Sequence, residues 1–515
     1  MPLDCEVNIE KNAPVRLLNA VMERMDYSKL YAAYSRLGRI EYSPKILLKI
    51  MVYGYMRKQI SSRALEACCR ENLHFIYLLE GQRAPDHNTI NRFRKNILTQ
   101  EAGQDILCQL VVLLHERGLL SLEAAFIDGT KIEANANKYS FVWKKATAQK
   151  TEKLLKKIHD ELPAKLKEVG IRFHVPEKIA VRQLKKLWKR IHARIKADGI
   201  ELVSGKGKRK TRLQRLSEWV DQCLAKLKQY TNDIHICGNR NSYSKTDHDA
   251  TFMHMKEDYM RNGQLKPGYN VNVATYRNDV HTLIPFMEQL QKNYAGRNIG
   301  SVVVDSGYES EENYCWFEAH PETELYVKPS NHEAAKHRKY RTDISRRENM
   351  AYNAQTDTYT CANGKLLQKT QEKKTHTASG LEITTSVYEC SECDGCPLKE
   401  KCIRACGSKK PLEERHKVIY VSKRFARQRQ AMEAKISSPK GCLLQVNRSI
   451  QAEGNFAYVK QDLDFRRFLL RGSTKVAAEW LLFSLALNIL HLHHKIQNRR
   501  LGSGLKIPSS FPAGL

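Results

Sequence analysis

Two short apolar runs, each ending in an aspartate and set between long stretches of helical periodicity, predict an α/β protein with added helical parts. The first run is Leu122 to Asp128 (LEAAFID), followed by Gly129. The second is Ser301 to Asp305 (SVVVD), a run suited to a strand buried on both faces, followed by Ser306-Gly307. A third stretch, Tyr269 to Tyr276 (YNVNVATY), alternates with period two, as a half-buried strand does. Ligand and metal sites of α/β sheets form just beyond the carboxyl ends of strands. The two aspartates therefore stand where a site is expected, although Asp before Gly is also an ordinary turn.

Residues 1–120 read as a helical N-terminal domain. Ser43-Pro44 looks like an N-cap followed by proline at the first helical position, and Ile46, Leu47, Ile50, Met51, Tyr53 and Gly54 recur at helical spacing behind it. Ser61 or Ser62 caps a second helix. Pro85-Asp86 opens a third, which carries Asn88, Asn91, Arg92, Arg94 and Lys95. Short helices ending in a basic, amide-rich one suit a helix-turn-helix variant that touches DNA, and suit a plain helical subdomain equally.

Residues 121–143 hold the first strand of the core. The stretch 144–240 is a basic helical insertion, with about 25 Lys and Arg against about 9 Asp and Glu between Lys144 and Lys228. Lys206, Lys208, Arg209 and Lys210 form its densest cluster and are expected to lie in a loop beside DNA. The core resumes over 241–330, with a further strand at Leu325 to Lys328. Residues 331–440 are polar and irregular around a cysteine crowd. The C-terminal helical part of the core, 441–500, is followed by a loose tail, 501–515.

Composition narrows the partners. The 515 residues are too many for one ordinary domain, and 42% apolar content is enough for real cores. The 86 Lys and Arg outnumber the 56 Asp and Glu, leaving a formal +30 that points to a polyanion. No basic-then-apolar leader is visible at the Met1 end, and Ala477 to Leu492 is shorter than a membrane span and reads as a buried helix. The expectation is a protein of a reducing, cytoplasmic compartment with a polyanionic partner and no membrane partner.

Six of the 14 cysteines fall between Cys361 and Cys406. Cys390, Cys393, Cys396 and Cys402 follow the pattern C-x2-C-x2-C-x5-C, with Cys361 and Cys406 flanking. Four thiolates so close suit a structural Zn²⁺. Pro397 after the third also matches ferredoxin-type runs, so an iron–sulfur cluster and unmetallated thiols remain as alternatives.

A third acidic ligand for Asp128 and Asp305 is expected from a helix. In RSIQAEGNFAYVKQDLDFRRFLLRG, Ala452, Phe456, Val459 and Leu463 form a docking stripe. Glu453 and Lys460 project together, with Arg448 about one and a half turns earlier. A carboxylate with a lysine two turns away suits a metal and a phosphate, although taken alone the pair reads first as a solvated Glu–Lys face. Asp247, Asp249 and Asp258 are runners-up for metal or substrate contacts.

Here IDGTKIEANANKYSFVWKK, LKPGYNVNVAT, VVVDSGYESEENYCWFE and the helix from Arg448 to Gly472 together resemble the DDE transposases of bacterial insertion sequences. SPKILLKIMVYGYMRKQISSRALEACCRENLHF and PDHNTINRFRKN resemble the N-terminal domain these enzymes carry. The order is similar to the group with a long helical insertion after the first Asp and a cysteine-rich segment before the Glu. The resemblance implies a ribonuclease-H-like, retroviral-integrase-like core holding two Mg²⁺ or Mn²⁺ ions. Asp128, Asp305 and Glu453 are the implied catalytic ligands, and Lys460 matches the lysine seven residues after the Glu. The Tyr-Arg-Glu-Lys pattern fits incompletely, because four residues separate Arg448 from Glu453 and no Tyr precedes Arg448 at the matching place; the DNA contact of Arg448 rests on this partial match.

The implied activity is binding of the element's terminal inverted repeats, phosphodiester hydrolysis, and joining of the 3′ ends to target DNA by a homodimer or higher oligomer. Two alternatives stand beside it: a nuclease of the same fold that cuts without joining, and a non-catalytic DNA-binding protein descended from a transposase.

Overall fold

The computed structural model describes residues 7–34, 42–176, 179–204, 209–255, 263–271, 282–294, 297–377, 379–404 and 410–501, with Glu453 described by its backbone only. The chain divides into two compact units. One comprises Met1–Thr130, Asn270–Phe465 and Trp480–Leu515, and the other Lys131–Tyr269 and Arg466–Glu479.

In the first unit, strands Ala124–Phe126, Ser301–Val304 and Glu324–Val327 form a parallel three-stranded sheet in that order. The central strand is buried at every position, as its unbroken Val run predicts. Its side chains divide between two faces. Val302 and Val304 join Leu325, Val327, Met432 and Ile436 on one side, while Val303 joins Tyr326, Phe126 and Leu444 on the other. Helix Lys423–Ile436 therefore covers one face and helix Pro439–Arg448 the opposite one. The reversal between them is tight: a Cβ on Gly441 would lie 2.3 Å from the Lys435 carbonyl oxygen, so only glycine fits.

The N-terminal helices are built as their sequence predicts. Helix Pro44–Met56 starts with proline at its first turn, and Ser61 caps helix Ser62–Glu71 by accepting the Ala64 amide at 3.1 Å. Gly54 meets this second helix at close range, where a Cβ would stand 2.5 Å from Leu65 Cδ2 and 2.6 Å from the Gln59 carbonyl oxygen. Lys49 is wholly buried in the first helix and is held by Asn19, Glu23 and Glu80. The hydrogen bonds from Lys49 and Lys45 pull the Glu23 carboxyl down to about 2.

The cysteine-rich stretch differs from its predicted irregularity. It contains a five-stranded antiparallel meander running, in spatial order, Val418–Val421, Glu382–Glu389, Leu366–His376, Thr358–Thr360 and Ala351–Asn353. Strand Leu366–His376 is exposed at almost every position, so it lacks the alternation that marks a half-buried strand. Helix Ser473–Gln497 is long and apolar enough to cross a membrane by length and composition, yet 56% of its most apolar window is buried inside the protein. Phe483 stacks on Phe465 with ring centroids 4.4 Å apart, and Tyr55 meets both rings edge-on.

In the second unit, strands Phe141–Trp143 and Ser242–Ser244 pair antiparallel. Between them run helices Lys144–Glu168, Val181–Ala197 and Arg212–Cys237 around an aliphatic core that includes Ile158, Leu187, Ile191 and Val220. Strands Thr130–Glu133, Leu265–Val271 and Thr251–His254 make a separate sheet with Leu265–Val271 central. The strand foreseen at Tyr269 to Tyr276 thus starts earlier, at Leu265, and residues 272–276 lie outside the described ones.

Candidate active site

The parallel register decides how the two strand-end aspartates stand. Phe126 is opposite Val303, and the Ile127 amide donates to the Val303 carbonyl at 3.0 Å. Two residues further on, 126 becomes 128 and 303 becomes 305. Asp128 and Asp305 thus occupy the same register position at the carboxyl ends of adjacent strands, whose spacing in a sheet is about 4.8 Å. Both are locally fixed: Asp128 Oδ1 accepts the Gly129 amide at 2.7 Å, and Asp305 Oδ1 accepts the Gly307 amide at 2.8 Å. Carboxylates at neighbouring strand ends are the donor type that hard cations such as Mg²⁺ prefer.

The loop after Asp305 is anchored from below. Glu309, four residues on, has a side chain 2% exposed and takes a bidentate ion pair from Arg429, with Nε to Oε1 and Nη2 to Oε2 both at 2.8 Å. The Ser330 amide also donates to Oε2 at 2.8 Å, and the Tyr314 hydroxyl donates to Oε1 at 3.1 Å. Burial pushes the Glu309 carboxyl up, but Arg429 and Ser330 outweigh it and hold the group below its ordinary value. Nothing in the sequence pattern singles out Glu309; its signal is its buried position between two elements far apart in the chain.

Helix Pro439–Arg448, packed on the sheet through Leu444, ends with Arg448 Nη1 at 3.4 Å from Asp128 Oδ2. Both side chains are largely buried, so Arg448, predicted to touch DNA, is paired with the first aspartate. The helix continues through a π turn at Ser449–Glu453, an α turn at Gly454–Ala457 and a second π turn at Tyr458–Asp462. Glu453 closes the first π turn, and its side chain lies outside the described residues. The docking stripe holds, with Ala452, Val459 and Leu463 buried and Phe456 half-buried. Lys460 is 8% exposed, so the alternative of a solvated Glu–Lys face does not hold for it. Each π turn carries an extra residue, which breaks the regular spacing on which that face was drawn.

In the N-terminal domain, Asp86 caps helix His87–Arg92 by accepting the Thr89 amide at 2.8 Å. Asn88, Arg92 and Lys95 are exposed and Asn91 is half-buried. Arg94 is a correction to that set. It is 3% exposed, in the π turn Phe93–Ile97, and donates to the Ile60 carbonyl at 2.7 Å, so it ties helices together and is turned away from any DNA. In the helical insertion Arg209 is exposed, Lys210 is held by Glu218 at 2.8 Å, and Lys206 and Lys208 lie outside the described residues.

Two of the runner-up aspartates are structural. Asp247 accepts the Tyr269 hydroxyl at 2.7 Å and the Gly472 amide at 3.2 Å, and Asp249 accepts the Ser473 amide at 2.7 Å. They fasten segment 466–479 within its unit; Asp258 lies outside the described residues. Cys390, Cys393 and Cys402 are buried, with Cys390 and Cys393 in the core of the meander beside Tyr388 and Ile419. Burial, with Cys393 and Cys361 nearby, pushes the Cys390 thiol up to about 11. Cys393 Sγ accepts the Lys417 amide at 3.3 Å, and Cys396 Sγ accepts from Asn363 at 3.5 Å. Among the described residues, no three His, Cys, Asp or Glu side chains converge closely enough to hold a metal ion.

Comparison with known families agrees with the order of these parts. The family described as Transposase DDE domain matches residues 360–493, and the one described as Transposase domain (DUF772) matches residues 3–96. Both matches are to transposase domains, consistent with a DDE transposase of an insertion sequence. The first match spans the cysteine segment and the helix with Arg448, Glu453 and Lys460, while Asp128 and Asp305 lie outside both. No curated protein and no solved structure matches the chain. The mixed α/β architecture of the transposase fits a ribonuclease-H-like fold, and family membership implies action on DNA and general use of Mg²⁺ or Mn²⁺.

Proposed function

We propose that the transposase binds the terminal inverted repeats of its insertion sequence, cleaves at their ends and joins the 3′ ends to target DNA, as a homodimer or higher oligomer. Asp128, Asp305 and Glu453 would hold two Mg²⁺ or Mn²⁺ ions. The observation that carries this reading is the register match of Asp128 with Asp305 at the ends of adjacent parallel strands. Two such ions supply a deprotonated water or 3′-hydroxyl as nucleophile and charge stabilisation for the leaving oxygen. The protein's own part is positioning. Arg448 fixes the Asp128 carboxylate, and Glu309 and Arg429 fix the loop behind Asp305. Asn88, Asn91 and Arg92 read base edges while Lys95 meets phosphate.

The test is a supercoiled plasmid bearing the element's ends, incubated with Mg²⁺ and then with EDTA. Cleaved and strand-transferred products with Mg²⁺ alone are expected. Cleavage without joining favours the nuclease reading, and repeat binding without cleavage favours the non-catalytic one. Asp128→Asn, Asp305→Asn and Glu453→Gln each remove one anionic ligand at nearly constant shape, so each should abolish cleavage and leave repeat binding intact. Full cleavage by any one removes that residue from the set.

A structural Zn²⁺ among Cys361, Cys390, Cys393, Cys396 and Cys402 rests on their spacing, and binding it would require drawing the thiols together and displacing their protons. One zinc per chain by elemental analysis, with loss of the meander on chelation, supports it. Metal-free protein with an intact meander overturns it.

A further inference from the structure

The second unit carries two exposed aromatic residues separated by one position along the chain, Tyr139 and Phe141. Tyr139 is 75% exposed and Phe141 39% exposed, at the neck from which the helical insertion leaves. The segment that presents them is pinned. The Tyr139 amide donates to Asn137 Oδ1 at 2.9 Å, and the Asn137 amide donates to Thr246 Oγ1 at 2.9 Å. Phe141 rests on a rigid aromatic base, with ring centroids 4.6 Å from Phe252 and 5.7 Å from Trp143.

The charge around these rings has one sign. Lys138 places its ammonium 5.3 Å from the Tyr139 ring centroid, and Lys245, also exposed, donates its amide to the Ser140 carbonyl at 3.0 Å. Lys145 is exposed just beyond Trp143. Asp247 and Asp249, just after Lys245, accept hydrogen bonds from Tyr269, Gly472 and Ser473, and Glu133, six residues before Tyr139, is paired with Lys266. A duplex backbone needs only the cations. Flat rings among cations suit a strand whose bases are unpaired, because every base has a stacking face.

We propose that Tyr139 and Phe141 form a stacking platform for an unpaired base of the DNA strand, with Lys138 and Lys245 at its flanking phosphates. This rests on the transposase reading, because it supposes DNA as the partner. The test uses the full chain and two probes of one sequence: a fully paired duplex, and the same duplex with a single-stranded stretch carrying 2-aminopurine. The parent protein should bind the gapped probe more tightly and quench its fluorescence. Tyr139→Ala should weaken gapped-probe binding by about five- to 150-fold and relieve the quenching, with duplex affinity within about twofold of the parent. Tyr139→Phe should keep the parent's behaviour, and an unchanged melting temperature guards against misfolding. Equal loss on both probes, or no loss on either, overturns the platform while the transposase reading stands. A change in sedimentation without a change in DNA binding assigns the surface to a second copy of the chain and likewise overturns it. Absence of all DNA binding by the parent fails both readings.

Discussion

The two halves of the candidate site are built to different standards of regularity. The aspartate half stands on parallel strands packed on both faces, where the register leaves no freedom in how Asp128 faces Asp305. The glutamate half stands on a helix interrupted by π turns at Ser449–Glu453 and Tyr458–Asp462, between an arginine that reaches Asp128 and a lysine that is buried. Strand ends held by a sheet suit a fixed donor pair. A helix with extra residues in its turns suits a ligand that must be aimed, since π turns frequently sit at functional sites. In the proposed site the aspartates thus stand on the more regular part of the scaffold.

The largest effect that separates them is expected at Glu309. Removing it leaves Arg429 half a buried ion pair short, and breaking such pairs costs about 3–5 kcal/mol. Glu309→Ala should lower the denaturation midpoint sharply and reduce cleavage with it, while Glu309→Gln, which keeps most of the shape, should lose less of both. The sign with pH follows from the depressed carboxyl. Its stabilisation is full above the unfolded value of about 4.3 and is lost as pH falls through the lower folded value. The parent should therefore lose stability in that acid window more steeply than Glu309→Gln. Parallel curves would show that the pair does not anchor the loop.

Arg448 probes the other half. It meets Asp128 in a largely buried pair, so Arg448→Ala should also cost stability, but less than Glu309→Ala because it loses a single 3.4 Å contact and not a bidentate pair. Cleavage should fall by about ten- to 100-fold, the range seen when a partner that orients a metal ligand is removed. Partial recovery in Arg448→Lys, which keeps the charge but not the fork, would separate charge from geometry. Cleavage unchanged in Arg448→Ala would make the contact incidental.

What was legible in the sequence follows the same divide. Val302 to Val304 and the aspartate after them could be read because a strand buried on both faces needs an unbroken apolar run. Pro44 and Ser61 were readable because caps and first-turn prolines act locally, whereas Ser43 sits at the N-cap position without a side-chain capping bond. The meander was not, since strand Leu366–His376 is exposed along nearly its whole length and shows no alternation. Neither was the burial of Lys460, because no local signal announces a π turn and the helical spacing was counted as regular. Glu309 was invisible for another reason: its partners, Arg429 and Ser330, come from distant parts of the chain.

In the N-terminal domain the same contrast divides Arg92 from Arg94. Arg92 is exposed on a helix with Asn88, whereas Arg94 is spent on the Ile60 carbonyl. Arg92→Ala should cost about 1–3 kcal/mol of preference for terminal repeats over random DNA and leave the melting temperature unchanged. Arg94→Ala should lower the melting temperature and affect all DNA alike. The reverse pattern would move base reading elsewhere, most plainly to the helical insertion.

The smallest effect is expected from that insertion, whose Lys and Arg are spread around its helices and are suited to backbone contact without sequence reading. Each phosphate neutralised releases nearly one counterion, so the slope of log affinity against log salt counts the contacts. Replacing Lys206, Lys208 and Arg209 with Gln should weaken repeat and random DNA equally and make that slope shallower by up to about three. Adding Lys210→Gln should change it little, because Glu218 already holds that ammonium at 2.8 Å. A full further step in the slope from Lys210 would show that DNA displaces Glu218 from it. An unchanged slope in the triple variant would leave the cluster as a solvated surface, and the arm's charge would then have to act through its helices.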